Sequence, residues 1–124
     1  TMAGMGPDDM EMAMIYDSFT ITAAITAEML GLAKPGEGHM LWKDGHAAPG
    51  GRFPINTNGG GLSFNHSGMY GMPLLIEAYR QLSGTAEDGV HGDPGKQTSA
   101  RTCVVNGTGG HLSTTGTLVL VADD

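Results

Sequence analysis

Glycine sets the first limit on what this chain can become. Of its 124 residues, 21 are Gly. Many are clustered: Gly36 and Gly38, Gly50 and Gly51, Gly59-Gly60-Gly61, and Gly107 with Gly109-Gly110. A Gly inside a helix costs about 1 kcal/mol relative to Ala, so this distribution excludes a helical bundle. With 40 % hydrophobic and only 15 % charged residues, the chain is also too apolar for disorder. What remains is a compact α/β unit with many close backbone approaches. The length suits one domain, residues 1–124, with one core.

The charge balance narrows the partners. Six Lys and Arg against 13 Asp and Glu give a formal net charge of -7, a poor basis for binding polyanions, and nucleic acid is set aside. No stretch approaches the roughly 20 apolar residues of a membrane span. The opening Thr1-Met2-Ala3-Gly4-Met5-Gly6 lacks the basic and apolar regions of a signal peptide. The absence of an initiator Met suggests a processed or truncated piece. The single cysteine, Cys103, excludes an internal disulfide and fits a reducing, cytoplasmic setting.

Met12-Ala13-Met14-Ile15-Tyr16 reads as a buried strand. Ser18 or Thr20 is placed to cap a helix whose apolar face is Ile21, Ala24, Ile25, Met29 and Leu32, closed by Gly31. Residues 34 to 52 form a loop. Phe53-Pro54-Ile55-Asn56 reads as a short strand, weakened by Pro54. A helix follows from about Pro73 to Leu82, with Leu75, Ile76, Tyr79 and Leu82 on one face. Residues 83 to 96 form another loop. Ala100 to Val105 and Thr117 to Val121 read as strands joined by Asn106-Gly107-Thr108-Gly109-Gly110. The order βαβαββ implies a mixed sheet with helices packed on it.

The segment Asn56-Thr57-Asn58-Gly59-Gly60-Gly61-Leu62-Ser63-Phe64-Asn65-His66 resembles the thiolase family. There the pattern is Asn-x-Asn-Gly-Gly, five further residues, then His. Tyr16-Asp17-Ser18-Phe19 stands where common thiolases carry Asn-Glu-Ala-Phe and the sterol-carrier type carries His-Asp-Cys-Phe. Gly107-Thr108-Gly109-Gly110 stands where thiolases carry a Gly-rich turn after a Cys. The resemblance covers nearly the whole chain. It implies the C-terminal half of a thiolase-like fold, with the nucleophilic Cys on an N-terminal half that this chain lacks. It also implies a coenzyme A thioester as substrate, no bound cofactor, and lipid metabolism such as beta-oxidation as the setting. The acidic composition argues against most CoA phosphate contacts being made here. The partner would be the N-terminal half or a second protomer, with a small OB-fold protein as a further one.

By this resemblance His66 is the base that activates the nucleophilic Cys, because an imidazole is the neutral base tuned to near-physiological pH. Tyr16 takes the place of the Asn that holds an oxyanion-hole water; a phenol can donate to an enolate oxygen or shuttle a proton. Ser18 takes the place of the second Cys of the sterol-carrier type, which leaves Cys103 as the remaining thiol for that role. One alignment of the family turn admits Cys103, another places Asn106 there, and a lone Cys on an apolar strand is usually a core residue. Gly59 and Gly60 allow the backbone to approach a ligand, and Met69 beside His66 is placed to line an acyl pocket. Asn56 and Asn58 are expected to bond the turn. His39, His46, His91 and His111 fall in loops without such context, and none has metal-ligand spacing. Trp42 is expected to pack against a partner.

The resemblance therefore implies Claisen-type cleavage or formation of a C–C bond on an acyl-CoA, a thiolase-like acyltransferase reaction. Two alternatives stand beside it: retro-aldol cleavage of a β-hydroxyacyl-CoA, and a non-catalytic domain that completes a complex. In the steroid aldolases of this superfamily tyrosines replace both the Asn and the His, so the retained His66 favours thiolase chemistry.

Overall fold

A computed structural model describes residues 2–66, 68–86, 95–110 and 112–123. Its centre is a three-stranded mixed sheet in the order β1 (Met12–Ile15), β2 (Thr102–Gly109), β3 (Thr114–Val121). β1 runs parallel to β2, with Met12 opposite Cys103 and Ile15 opposite Asn106. β2 pairs antiparallel with β3, with Cys103 opposite Leu120 and Asn106 opposite Thr117. Among the described residues three α-helices accompany the sheet: α1 (Thr20–Met29), the four-residue α2 (Gly60–Ser63) and α3 (Gly71–Leu82). This is a mixed α/β arrangement with helices packed on the sheet, as expected from the sequence.

All four residues of β1 are buried, so both faces of the sheet must be covered. Alternation divides them between two cores. Ala13, Ile15 and Val104 pack with Ala27 of α1, Ala47 and Ile55. Met12, Met14, Cys103 and Val105 pack with Tyr70, Leu74 and Ala78 at and along α3. The site lies at the end of β1, where the two cores meet the chain leaving the sheet.

Several sequence expectations change here. Phe53–Asn56 is a single bridge, Ile55 to Ala13, rather than a strand. Pro54 offers a carbonyl to Ala13 N–H but has no N–H of its own. Asn56 then turns away at φ 51°. Residues Asn106 to Gly109 continue β2 instead of forming the connection, so the turn falls after Gly109. Residues Gly38–Gly45 within the expected loop form 3-10 turns. The N-cap of α1 is Phe19, and neither Ser18 nor Thr20 caps it. Gly31 does close α1, at φ 78° with its N–H on the Glu28 carbonyl.

α1 buries a face other than the expected one, while α3 keeps Leu75 and Leu82 of its expected face against the core. α1 turns Thr22, Ala23, Thr26 and Ala27 inward and leaves Ile21, Ile25 and Met29 exposed. Small inward residues allow close approach, and Gly38 sits so near the Ala24 carbonyl that any Cβ would collide with it. α3 buries Leu74, Glu77, Ala78 and Gln81, while Ile76 and Tyr79 face outward. Glu77 and Gln81 can be buried because they bond one another and because Thr57 and Lys96 supply further partners.

Candidate active site

The site begins with a backbone clamp at the end of β1. The Asn56 side chain acts as a one-residue strand: Ile15 N–H donates to its Oδ1, and its Nδ2 donates to the Ile15 carbonyl, both at 2.8 Å. The Asn56 N–H also donates to the Ala13 carbonyl at 3.1 Å. On the other side Tyr16 N–H donates to the Asn106 carbonyl at 3.0 Å. The backbone at Ile15 and Tyr16 is thus held from both neighbours, which fixes the direction of the Tyr16 side chain.

Asp17 organises the next part. It is 5 % exposed, and its carboxylate accepts from Gly61 N–H at 2.7 Å and Leu62 N–H at 3.3 Å. It therefore serves the free N–H groups at the start of α2 from 44 residues away in sequence. Gly60 must be glycine because a Cβ there would run into the Asp17 carboxylate. Gly59, at φ 94°, makes the left-handed turn into α2. Asn58 completes the turn by accepting from Gly60 N–H at 3.0 Å.

α2 leads to His66. The Tyr16 hydroxyl and His66 Nε2 are 3.0 Å apart. The Tyr16 ring also meets Tyr70 edge-on, with centroids 5.9 Å apart, and His66 and Tyr70 lie 6.5 Å apart. Tyr70 is fully buried and donates to Asn58 Oδ1 at 3.4 Å. Burial, helped by the charges of Asp17 and Glu77 and opposed by the Asn58 bond, pushes the Tyr70 phenol up to about 12. Tyr70 therefore stays protonated as a wall of the site, whereas His66 is solvent-exposed. An exposed imidazole bonded to a half-buried phenol can exchange protons with a substrate and relay them to or from the phenol.

The remaining candidates are placed differently. Cys103 is fully buried among Met12, Met14 and Leu74, and burial pushes its thiol up to about 12. Ser18 donates its hydroxyl to Thr22 Oγ1 at 3.1 Å, inside the first turn of α1. Met69 is 86 % exposed and adopts φ 60°. Gly59 lines a cavity of about 450 Å³ with Asp17, Thr20, His39 and Trp42. His39 and Trp42 come from the Gly- and Pro-rich connection, where no sequence pattern marks a shared cavity. His91 and His111 lie outside the described residues. Among the described residues no group of three His, Cys, Asp or Glu could hold a metal, and no helix is long and apolar enough to cross a membrane.

Neither Tyr70 as a wall of the site nor Asp17 as an anchor for α2 is marked in the sequence. Tyr70 follows the Gly-rich run without a motif of its own. The Asp17 to Gly61 contact spans two elements and leaves no periodic trace.

Comparison with known proteins bears on the family and the fold. Residues 1–122 match the family model described as thiolase C-terminal domain-like. The chain is similar to 17-hydroxy-3-oxo-4-pregnene-20-carboxyl-CoA lyase of Mycobacterium tuberculosis, at 40 % identity over 73 % of the chain and 23 % of the relative. It is similar to benzoylsuccinyl-CoA thiolase subunit BbsB of Thauera aromatica, at 35 % identity over 64 % of the chain and 21 % of the relative. Among solved structures it resembles an Ltp2-ChsH2(DUF35) aldolase, with TM-score 0.78 and 32 % identity over 98 % of the chain and 29 % of that chain. The chain thus spans less than a third of the length of each of these proteins.

Proposed function

The chain belongs to the thiolase C-terminal domain-like family, and on that premise we propose that it supplies the proton-transfer pair for C–C bond cleavage or formation on an acyl-CoA. The observation that carries this reading is the 3.0 Å contact between Tyr16 and His66. In the thiolytic direction a cysteine from the remainder of the enzyme loses its proton to His66. Its thiolate adds to the β-carbonyl carbon. The bond to the α-carbon breaks, and that electron pair is stabilised as the enolate of the departing acyl-CoA before protonation at carbon. Free CoA then takes the acyl group from the cysteine, which regains a proton. Tyr16 donates to the developing substrate oxygen or returns the proton through His66.

Cys103 is given a packing role in this scheme, since a buried thiol with a raised pKa is a poor proton shuttle near neutral pH. Proton delivery to carbon then rests with Tyr16 and His66 or with a group outside this chain. The similarity to a thiolase subunit and to a structure named for two components supports assembly with an N-terminal thiolase half and a second, smaller protein. A reducing cytoplasmic setting suits the lone thiol.

Retro-aldol cleavage of a β-hydroxyacyl-CoA is the second reading. It is favoured by the similarity to a CoA lyase and by Ser18 in place of a second cysteine, and it needs no covalent intermediate. Free CoA separates the two. The assembled enzyme should cleave a 3-ketoacyl-CoA only when CoA is added, and should lose this activity with its nucleophilic cysteine. Cleavage of a β-hydroxyacyl-CoA without added CoA would establish the aldolase instead, and neither activity would leave a non-catalytic domain.

A further inference from the structure

Glu77 is a buried carboxylate that the chemistry above leaves unused. It is 3 % exposed and fully engaged. Thr57 Oγ1 donates to its Oε1 at 2.7 Å and Gln81 Nε2 donates to the same atom at 3.1 Å. Lys96 Nζ donates to Oε2 at 2.8 Å. Gln81 Nε2 also reaches Thr57 Oγ1 at 3.1 Å and the Lys96 carbonyl at 2.9 Å, while its Oε1 accepts from Thr98 N–H at 2.8 Å. Burial alone would raise the Glu77 carboxyl, but the bonds from Lys96, Thr57 and Gln81 outweigh it and hold the group below the ordinary carboxylate value.

Packing alone does not require such a network. Apolar side chains of similar volume usually hold a helix on a sheet as well or better, because burying charge is costly. The network does fix one thing that apolar packing would leave loose: the position of Thr57. That residue stands between Asn56, which clamps Ile15 beside Tyr16, and Asn58, which bonds Gly60 and Tyr70 at the head of the run to His66. Both members of the proton-transfer pair are therefore referred to the turn that Glu77 grips from behind.

We propose that Glu77, held by Lys96 and acting through the Thr57 hydroxyl, is the positioning residue that sets Tyr16 against His66. The catalytic consequence rests on the acyl-CoA reading; the geometric one does not. Two measurements on the assembled enzyme test it: turnover of a 3-ketoacyl-CoA with added CoA, and NMR titration of the His66 imidazole. Glu77→Gln and Thr57→Val should each lower kcat about tenfold with KM held within about twofold, and Thr57→Ser should retain activity. In a His66→Ala background both effects should disappear, because the pair they position is gone. The His66 titration midpoint should differ between Glu77→Gln and the unsubstituted enzyme, because the imidazole loses its aligned phenol. Equal losses with and without His66, or an unmoved titration, would overturn the proposal. If the enzyme turns over no acyl-CoA at all, the acyl-CoA reading fails and the NMR titration alone decides this one. Should Glu77→Gln not fold, the Thr57→Val and Thr57→Ser pair decides; failure of Thr57→Val as well would assign the network to core stability and overturn it.

Discussion

Tyr16 and His66 are 50 positions apart in the chain and 3.0 Å apart at their polar atoms. The two ends of that contact are built separately. Tyr16 is aimed by the end of β1, and His66 is delivered by the Gly-rich turn and α2. Asn56 and Asp17 join the two, one bonding back from the turn to the strand and the other forward from the end of the strand to the helix.

Tyr16→Phe in the assembled enzyme removes the hydroxyl and keeps the ring against Tyr70. We expect kcat to fall roughly ten- to a thousandfold while the melting temperature hardly changes. Steady-state kinetics beside a thermal melt checks this, and an unchanged kcat would reduce Tyr16 to packing.

On the proposed thiolase reading, His66→Ala in the assembled enzyme should slow alkylation of its nucleophilic cysteine by iodoacetamide near neutral pH. The rate should recover above about pH 8.5, where an unperturbed thiol ionises without help. Cys103 provides an internal contrast. Its thiol is buried and raised to about 12, so mass spectrometry should find it unlabelled in the native protein at pH 8 and labelled in urea. Native labelling of Cys103 would contradict its placement in the core.

Asn56→Ala removes both side-chain bonds to Ile15 and places Ala at φ 51°. The combined loss should be about 2 to 4 kcal/mol, from two hydrogen bonds of about 1 kcal/mol each and the left-handed strain. Asn56→Gly should recover only the strain. Urea denaturation of the three proteins measures the difference, and equal stability of Ala and Gly would remove the backbone argument.

Stability should also depend on Glu77 in acid. Its folded pKa lies below the unfolded value, so it contributes stability at pH above the ordinary carboxylate range near 4.3. That contribution is lost as pH falls through the depressed folded value. Glu77→Gln should flatten the pH dependence of unfolding below about pH 4.5. A slope identical to that of the unsubstituted protein would show that other carboxylates govern acid unfolding.

The sequence made the site more legible than the packing around it. His66 and Tyr16 stand in motifs whose order survives in the chain, and a continuous apolar run marks β1. Helix periodicity points to the wrong face of α1 and to only half of the right one in α3. In α1 a stripe of Ala and Thr shares the helical period with Ile21, Ile25 and Met29, and period alone cannot say which stripe meets the sheet. In α3 the buried face includes Glu77 and Gln81, which a helical wheel assigns to solvent. Their burial depends on Thr57 and Lys96, partners brought in by the fold.

The strict alternation of β1 makes the site intolerant of a change in strand length. Deleting or inserting one residue between Met12 and Ile15 would exchange the side chains serving the two cores. Tyr16, which packs with the Met12 and Met14 side, would then project toward α1, and Asp17 would turn away from α2. Pairing of β1 with β2 could survive such a shift while the imidazole lost its phenol. Variation in length should therefore collect in the connections that flank β1, and the distance from Met12 to Tyr16 should behave as a fixed frame for the chemistry.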